Sequence, residues 1–336
     1  MKTEILTTHN KALFTAAVQR AAELLRAGEV VALPTETVYG LAANALDAAA
    51  IARIYAIKGR PAHNPIIVHV ASLAMARCCA KEWPEMANRL AQSFWPGPLT
   101  LVLPRSAEIP DNVTAGGATV GIRWPSHPFI QAVIRECGFP LAAPSANPSN
   151  RISPTNAGHV AKHLGSKIPL VVDGGQSQVG IESTVLDLTH TPPLVLRPGI
   201  IHEESLAAVT GGIESLTPGP ATATLRSPGL LKKHYSPKAR LVVLDWQNEA
   251  DLHQRLNALG LSSGTGHIIA HTRIPAGDGF GGVSVIPHDA EAFARAIYAE
   301  LHRCDEAGVA WIGVEALPAA PEWRAIADRL NRAAAP

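Results

Sequence analysis

Apolar positions along the chain follow two periods. In the segment 11–27, Leu13, Ala17, Ala21 and Leu24 share one helical face, and Ile51, Ile54 and Tyr55 do the same within 47–57. Further helices are expected near 84–94, 127–137 and 155–164. Short apolar runs at 30–33, 65–70, 99–103, 119–122, 170–172 and 184–188 predict strands. This mixture predicts an α/β fold with a sizeable twisted sheet. Asp47 is a suitable N-cap for the second helix, Gly59 a suitable stop, and Pro61 prevents its resumption.

The pattern breaks after Thr210. Gly211-Gly212, Pro218-Gly219-Pro220, Pro228-Gly229 and Ser236-Pro237 punctuate a stretch with little periodicity of either kind. Beyond it, apolar runs at 241–244, 267–270, 283–286 and 310–314 alternate with helical patterns near 248–259, 289–307 and 321–333. A smaller Rossmann-like three-layer domain is expected there, without the G-x-G-x-x-G fingerprint of a dinucleotide site. The expected organisation is a first domain over 1–210, a Pro/Gly-rich linker over 211–238 and a second domain over 239–336. A passive tether needs few bulky residues. This one carries Leu230, Leu231 and Tyr235 beside Lys232, Lys233 and His234, as a lid docking over a polar site would.

A chain of 336 residues, 47% hydrophobic, is long enough for two cores. No apolar run approaches a membrane span, and the charged start Met1-Lys2-Thr3-Glu4 leads into a folded helix rather than a signal peptide. Cys78, Cys79, Cys137 and Cys304 contain no C-x-x-C pair, which fits reduced thiols and a cytoplasmic protein. The net charge of +1 is unevenly spread. Residues 211–240 hold 5 Lys+Arg against 1 Asp+Glu, whereas 241–336 hold 7 against 12. Neither larger piece has the basic surplus of an autonomous nucleic-acid binder.

The densest chemistry is Lys58-Gly59-Arg60-Pro61-Ala62-His63-Asn64-Pro65, where two cations leave a helix end on either side of a glycine. Arg offers a planar fork and Lys a point charge, a pairing suited to oligophosphate; a solvated pair favourably placed at a helix C-terminus is the plain alternative. The strand-to-turn passages Pro34-Thr35-Glu36-Thr37 and Pro144-Ser145-Ala146-Asn147 offer small polar groups for a ligand, or ordinary turn formers. Three other motifs fail. Gly175 and Gly180 have P-loop spacing, but Ile181-Glu182 replace the required Lys-Ser/Thr. His159 and His163 share a helix face without an H-E-x-x-H glutamate, and Val179 breaks a G-x-S-x-G elbow at Ser177.

Taken together, several segments resemble the threonylcarbamoyl-AMP synthases, the YrdC-like enzymes of tRNA modification. They are Pro34-Thr35-Glu36-Thr37 with Tyr39-Gly40-Leu41, Lys58-Gly59-Arg60-Pro61 with Asn64-Pro65, and Phe94-Trp95-Pro96-Gly97-Pro98-Leu99-Thr100. Gly121-Ile122-Arg123-Trp124-Pro125, Pro144-Ser145-Ala146-Asn147, Ser183-Thr184-Val185 and Leu196-Arg197-Pro198-Gly199 follow in the family's order. His234-Tyr235-Ser236-Pro237 is similar to the linker of the family's longer form. The resemblance implies a YrdC-like twisted mixed sheet and the condensation of L-threonine, bicarbonate or CO2, and ATP, releasing pyrophosphate. The product would pass to the transferase machinery that modifies tRNA beside the anticodon.

The resemblance also implies roles for individual residues. Lys58, Arg60, Ser145 and Asn147 would be catalytic. Arg60, Asn64, Thr119, Ala143, Ser145, Ser153, Arg197, Tyr235 and Ser236 would meet ATP, whereas Thr37, His69, Arg123 and Ser183 would meet threonine. Mg2+ would accompany the triphosphate, held by phosphate and water rather than by a protein cage. Read from the residues alone, His69 also fits a satisfied core histidine, and Ser153 an N-cap for the helix after Pro154. Two rivals are a carbamoyl-phosphate-dependent hydrogenase-maturation enzyme and a non-catalytic RNA-binding module. The first would bring an acylphosphatase part and Cys-rich zinc fingers, which this chain lacks.

Overall fold

The computed structural model describes residues 2–215, 227–229, 233–276 and 279–335. The chain forms two compact units, Met1–Ser149 with Ser153–Leu230, and Asn150–Ile152 with Leu231–Pro336. In the first, the elements run β1 (Glu4–Thr7), α1 (Lys11–Arg26), β2 (Val31–Leu33), β3 (Gly40–Asn44), α2 (Ala48–Lys58), β4 (Val68–His69), α3 (Leu73–Cys79) and α4 (Glu85–Phe94). They continue through β5 (Leu99–Pro104), β6 (Thr119–Arg123), α5 (Pro128–Cys137), β7 (Leu141–Ala142), α6 (Ala157–Leu164) and β8 (Leu170–Asp173). β9 (Thr184–Asp187), β10 (Leu194–Arg197), α7 (Glu203–Thr210) and β11 (Glu214–Ser215) complete the unit. Among the described residues, the strands form one mixed sheet in the order β1-β8-β2-β3-β7-β4-β6-β5-β9-β10-β11.

Successive strand residues point to opposite faces, and each face has its own core. Ala32, Leu41, Ala43 and Val171 enter one core; Val31, Leu33, Ala42, Leu170 and Val172 enter the other. The second core is covered by α1 and α5, where Phe14 meets Phe129 edge-on at 5.2 Å. Burial on both faces explains why these strands read as continuous apolar runs rather than as an alternation.

The expected strand over 65–70 shrinks to β4. Pro65 has no N–H, and the Ile66 N–H turns aside to the Val113 carbonyl at 2.8 Å. The expected cap of α6 also moves. Asn156, not Ser153, accepts the first-turn N–H of His159, at 3.0 Å. β1, β3, β7, β10, β11, α3 and α7 are not expected from the apolar pattern; β3 is built largely of Gly and Ala, and β7 is only the pair Leu141-Ala142.

In the second unit, β12 (Arg240–Leu244), α8 (Glu249–Ala258), β13 (Gly266–Ala270), β14 (Gly282–Val285), α9 (Ala290–Ala307), β15 (Trp311–Glu315) and α10 (Arg324–Ala334) make a parallel sheet flanked by helices. Its strand order is β12-β15-β13-β14. Trp246, Trp311, Leu252, Leu256 and Ile268 fill its core. Gly266 is required there, since a Cβ would stand 1.8 Å from the Trp311 ring. All four cysteines are free thiols. No helix among the described residues is long and apolar enough to cross a membrane.

Candidate active site

The turn after β2 brings Thr35, Glu36 and Thr37 into a buried polar cluster. The Thr35 and Thr37 hydroxyls lie 2.9 Å apart, and Thr35 Oγ1 donates to the Val38 carbonyl at 2.6 Å. The Val179 and Gly180 N–H groups hold the turn by donating to the Glu36 and Thr37 carbonyls. Arg123, at the end of β6, reaches into this cluster. Its Nη1 donates to Thr37 Oγ1 at 2.9 Å and its Nε to the Gly97 carbonyl at 3.3 Å. Nη2 stands 2.8 Å from Glu36 Oε1, an ion pair by proximity without the alignment of a hydrogen bond. The same Glu36 oxygen accepts the Ser126 N–H at 2.9 Å. Burial alone would raise the Glu36 pKa, but Arg123 and the Ser126 N–H outweigh it and hold the carboxyl below its ordinary value.

His69 pairs with Arg123 in the parallel register of β4 and β6. Burial and the Arg123 charge push its imidazole down to about 3, so the ring is neutral. This shift has a testable sign. An unfolded histidine titrates near ~6.5, so between about 6.5 and about 3 the unfolded chain binds the extra proton and stability falls with falling pH. Glu36, with its pKa lowered, loses its contribution in the same direction on acidification. The melting temperature should therefore drop between about pH 7 and about pH 4.5, and His69→Gln should shrink the drop. An equal drop in the variant would show that His69 does not carry it.

Lys58 closes α2 and is buried, with three acceptors around its ammonium. Nζ stands 2.5 Å from the Ser145 carbonyl, 2.5 Å from the Asn147 carbonyl and 3.4 Å from Asn147 Oδ1. Burial, then the nearby Arg60 charge, pushes its pKa well below the ordinary lysine value. Gly59 supplies the left-handed turn, φ 61°, that releases Arg60 in a new direction. Arg60 then grips its own loop, donating to the Asn64 carbonyl at 2.9 Å, Asn64 Oδ1 at 2.8 Å and the Pro65 carbonyl at 2.6 Å. Each cation thus fixes a loop bearing other candidate groups: Ser145 and Asn147 for Lys58, Asn64 for Arg60.

Arg197, at the end of β10, donates to the Ser183 carbonyl through Nε at 3.1 Å and to Ser183 Oγ through Nη2 at 3.1 Å. Ser183 Oγ also lies 2.8 Å from Thr100 Oγ1. Ser153 donates to the buried Glu182 at 2.5 Å. Thr119 opens β6 and, with Pro65, Ile67, Thr100 and Thr114, lines a small gap of about 10 Å³. Gly121 forms part of the same lining, where a Cβ would come within 3.2 Å of Thr100. Ala143 is buried, its N–H donating to the Ile67 carbonyl at 3.1 Å.

The remaining nucleotide candidates, Tyr235 and Ser236, belong to the second unit. Tyr235 has φ 61°, unusual for an aromatic residue; its ring stacks on Tyr298 at 6.0 Å and carries the Arg329 guanidinium 5.4 Å from its centre. The Ser236 N–H donates to the Asn150 carbonyl at 2.9 Å. Leu230, Leu231 and Lys232, named as part of the expected lid, lie outside the described residues.

Buried polar atoms normally have partners, and exceptions call for a reason. Glu36 Oε2, Asn64 Nδ2, His69 Nδ1 and Trp124 Nε1 are buried with no hydrogen-bond partner among the described residues. Glu36, Asn64 and His69 belong to the segments just described, and Trp124 directly follows Arg123. The sequence marks Thr35 and Glu36 only as small polar groups for a ligand or turn formers, and assigns no individual role to them, to Thr100 or to Glu182.

Comparisons with known proteins point to one family. Residues 23–199 match the Sua5/YciO/YrdC family model, described as "Telomere recombination", and 201–335 match the model for the threonylcarbamoyl-AMP synthase C-terminal domain. The threonylcarbamoyl-AMP synthase of Pyrococcus abyssi is 47% identical over 230 residues, 68% of this chain and 68% of that one. The Bacillus subtilis enzyme of the same name is 46% identical over 239 residues, 70% of this chain and 69% of that one. The crystal structure of P. abyssi Sua5 complexed with L-threonine superposes with a TM-score of 0.91 at 37% identity, covering 99% of this chain and 98% of that one. The chain belongs to the threonylcarbamoyl-AMP synthase family, in its two-domain form.

Proposed function

We infer that this protein makes threonylcarbamoyl-AMP from L-threonine, bicarbonate or CO2, and ATP, with release of pyrophosphate. The observation that carries the reading is the set of partnerless buried polar atoms on the segments of the buried cations Arg60 and Arg123, at Asn64, Glu36, His69 and Trp124. A purely structural polar core would satisfy those atoms internally. A family member, P. abyssi Sua5, has been solved in complex with L-threonine, which supports the reading.

In this reading the threonine amine takes up CO2 to form a carbamate, whose oxygen attacks the α-phosphorus of ATP as pyrophosphate leaves. The protein contributes position and charge rather than a covalent intermediate. Arg123, Thr37, His69 and Ser183 receive threonine. Arg60, Asn64, Arg197, Thr119, Ala143, Ser145 and Ser153 form the nucleotide side, with Tyr235 and Ser236 as further candidates from the linker. Ser183 hydrogen-bonds Arg197, so one proposed threonine contact touches one proposed phosphate contact. Lys58 holds the Ser145–Asn147 loop against which the phosphates would lie.

Mg2+ fits this site as an ion carried by the nucleotide. Among the described residues the one His/Cys/Asp/Glu group with metal-ligand spacing is His267, Glu300 and Cys304, in the second unit. Glu36 is paired with Arg123, and Glu182 accepts from Ser153. The ion would be held by phosphate and water and would neutralise the departing pyrophosphate. The product, a labile mixed anhydride, suits transfer to the adenosine-modifying machinery of tRNA.

Substrate dependence tests the reading. Pyrophosphate release from ATP should require L-threonine and bicarbonate together, because the attacking oxygen belongs to their adduct. Rapid ATP cleavage without threonine, or equal use of carbamoyl phosphate, would exclude it.

A further inference from the structure

We propose that Tyr55 is a positioning residue for the nucleotide: its hydroxyl fixes the backbone of Asn64, so that the Asn64 side-chain amide is aimed at ATP. The proposal rests on the reading of Arg60 and Asn64 as nucleotide contacts, and adds a residue to it. Tyr55 stands three residues before Lys58 in α2 and is half-buried. Its Oη lies 2.9 Å from the Asn64 carbonyl and 2.9 Å from the Asn112 carbonyl, 9 and 57 positions along the chain. A phenol carries one proton, so a single donor is shared between the two carbonyls. The Asn112 side chain in turn donates to the Ala48 carbonyl, in the first turn of α2, at 2.8 Å. The hydroxyl therefore ties the loop after α2 to the loop before β6, with the helix as their common support.

Asn64 is pinned at every polar atom but one. Its N–H donates to the Pro61 carbonyl at 3.0 Å, and its carbonyl accepts from Arg60 Nε as well as from Tyr55, both at 2.9 Å. Oδ1 accepts from Arg60 Nη2 at 2.8 Å. A guanidinium only donates, so the atom facing it is the amide oxygen, and the NH2 group points the other way. That group, Asn64 Nδ2, is buried with no hydrogen-bond partner among the described residues. A buried donor without an acceptor is costly, and a ligand rich in acceptor oxygens, as a triphosphate is, removes that cost. Arg60 sets the turn of the amide, and Tyr55 gives the backbone beneath it a second hold. A phenylalanine at this position would fill the same space and lose only that hold.

Pyrophosphate release by the full chain, titrated separately in ATP and in L-threonine, reads the role. Tyr55→Phe should melt within a few degrees of wild type, while its apparent ATP KM rises about fivefold, the scale of one neutral hydrogen bond. Its kcat and threonine KM should stay within about twofold of wild type, since only nucleotide binding is touched. Asn64→Ala should raise the ATP KM at least as far. Added to Asn64→Ala, Tyr55→Phe should cost less than about twofold more, because the amide it aims is gone. A hydroxyl that merely braced the fold would raise both KM values together, or multiply its full effect onto that of Asn64→Ala. Either result, or an unchanged ATP KM in Tyr55→Phe, overturns the proposal. Wild-type protein that releases no pyrophosphate from ATP with L-threonine and bicarbonate would instead remove the functional reading beneath it.

Discussion

Lys58→Ala is expected to lower threonylcarbamoyl-AMP formation by about a hundredfold or more, the scale seen when a preorganised charged contact is removed from a closed site. The reason lies in the three acceptors around Nζ. Without the ammonium, the Ser145 and Asn147 carbonyls and Asn147 Oδ1 lose this donor, and the loop proposed to face the nucleotide loses its anchor. The loss should appear in both the maximal rate and the apparent ATP affinity, since the loop precedes any chemistry. Pyrophosphate release, read beside a circular-dichroism melt to establish that the protein is folded, is the measurement. Wild-type turnover in the variant would remove Lys58 from the site.

The second large effect belongs to Arg60. Arg60→Ala leaves the Asn64 carbonyl, Asn64 Oδ1 and the Pro65 carbonyl without a shared buried donor, so it should cost stability as well as activity. Roughly 2–4 kcal/mol is expected from acceptors stranded in a dry loop, with loss of most ATP turnover. Arg60→Lys should rescue stability only in part, because a single ammonium cannot reproduce the fork that spans backbone and side chain. Denaturant unfolding of the three proteins gives the comparison. Equal stability in all three would mean that the loop holds itself.

The sequence made some of this legible because certain signals are local. A cap, a left-handed glycine and a proline bracket α2, and they required no knowledge of the rest of the fold to place Lys58 and Arg60 at its exit. Strands β2, β5 and β8, runs rich in Val and Leu, were visible for the same reason. β3 and β7 were not, because Gly40, Ala42, Ala43 and Ala142 carry too little side chain to show a period; they are strands because their neighbours in the sheet require partners. The partner of Glu36 was hidden for a different reason. Whether a carboxylate in a turn faces water or a guanidinium depends on a residue 87 positions away, and only the folded sheet brings Arg123 there. Ser153 shows the opposite error. A serine before a proline fits a cap by local rules, and the tertiary attraction of Glu182 overrides them. Family resemblance offered candidate contacts that local rules could not, but it did not say that Lys58 grips the Ser145–Asn147 loop.

The pairing of β4 with β6 has a consequence for how this enzyme can vary. β4 is two residues long and is clasped on one side by β6, with His69 opposite Arg123, and on the other by β7. The sheet therefore acts as a ruler: imidazole and guanidinium are spaced by the fixed interval between strands, not by their own side chains. Slipping β4 by one residue would set the methyl groups of Val68 where the imidazole now stands and turn His69 to the other face. The loop before β4 can change its sequence, but its length is locked to the site it feeds.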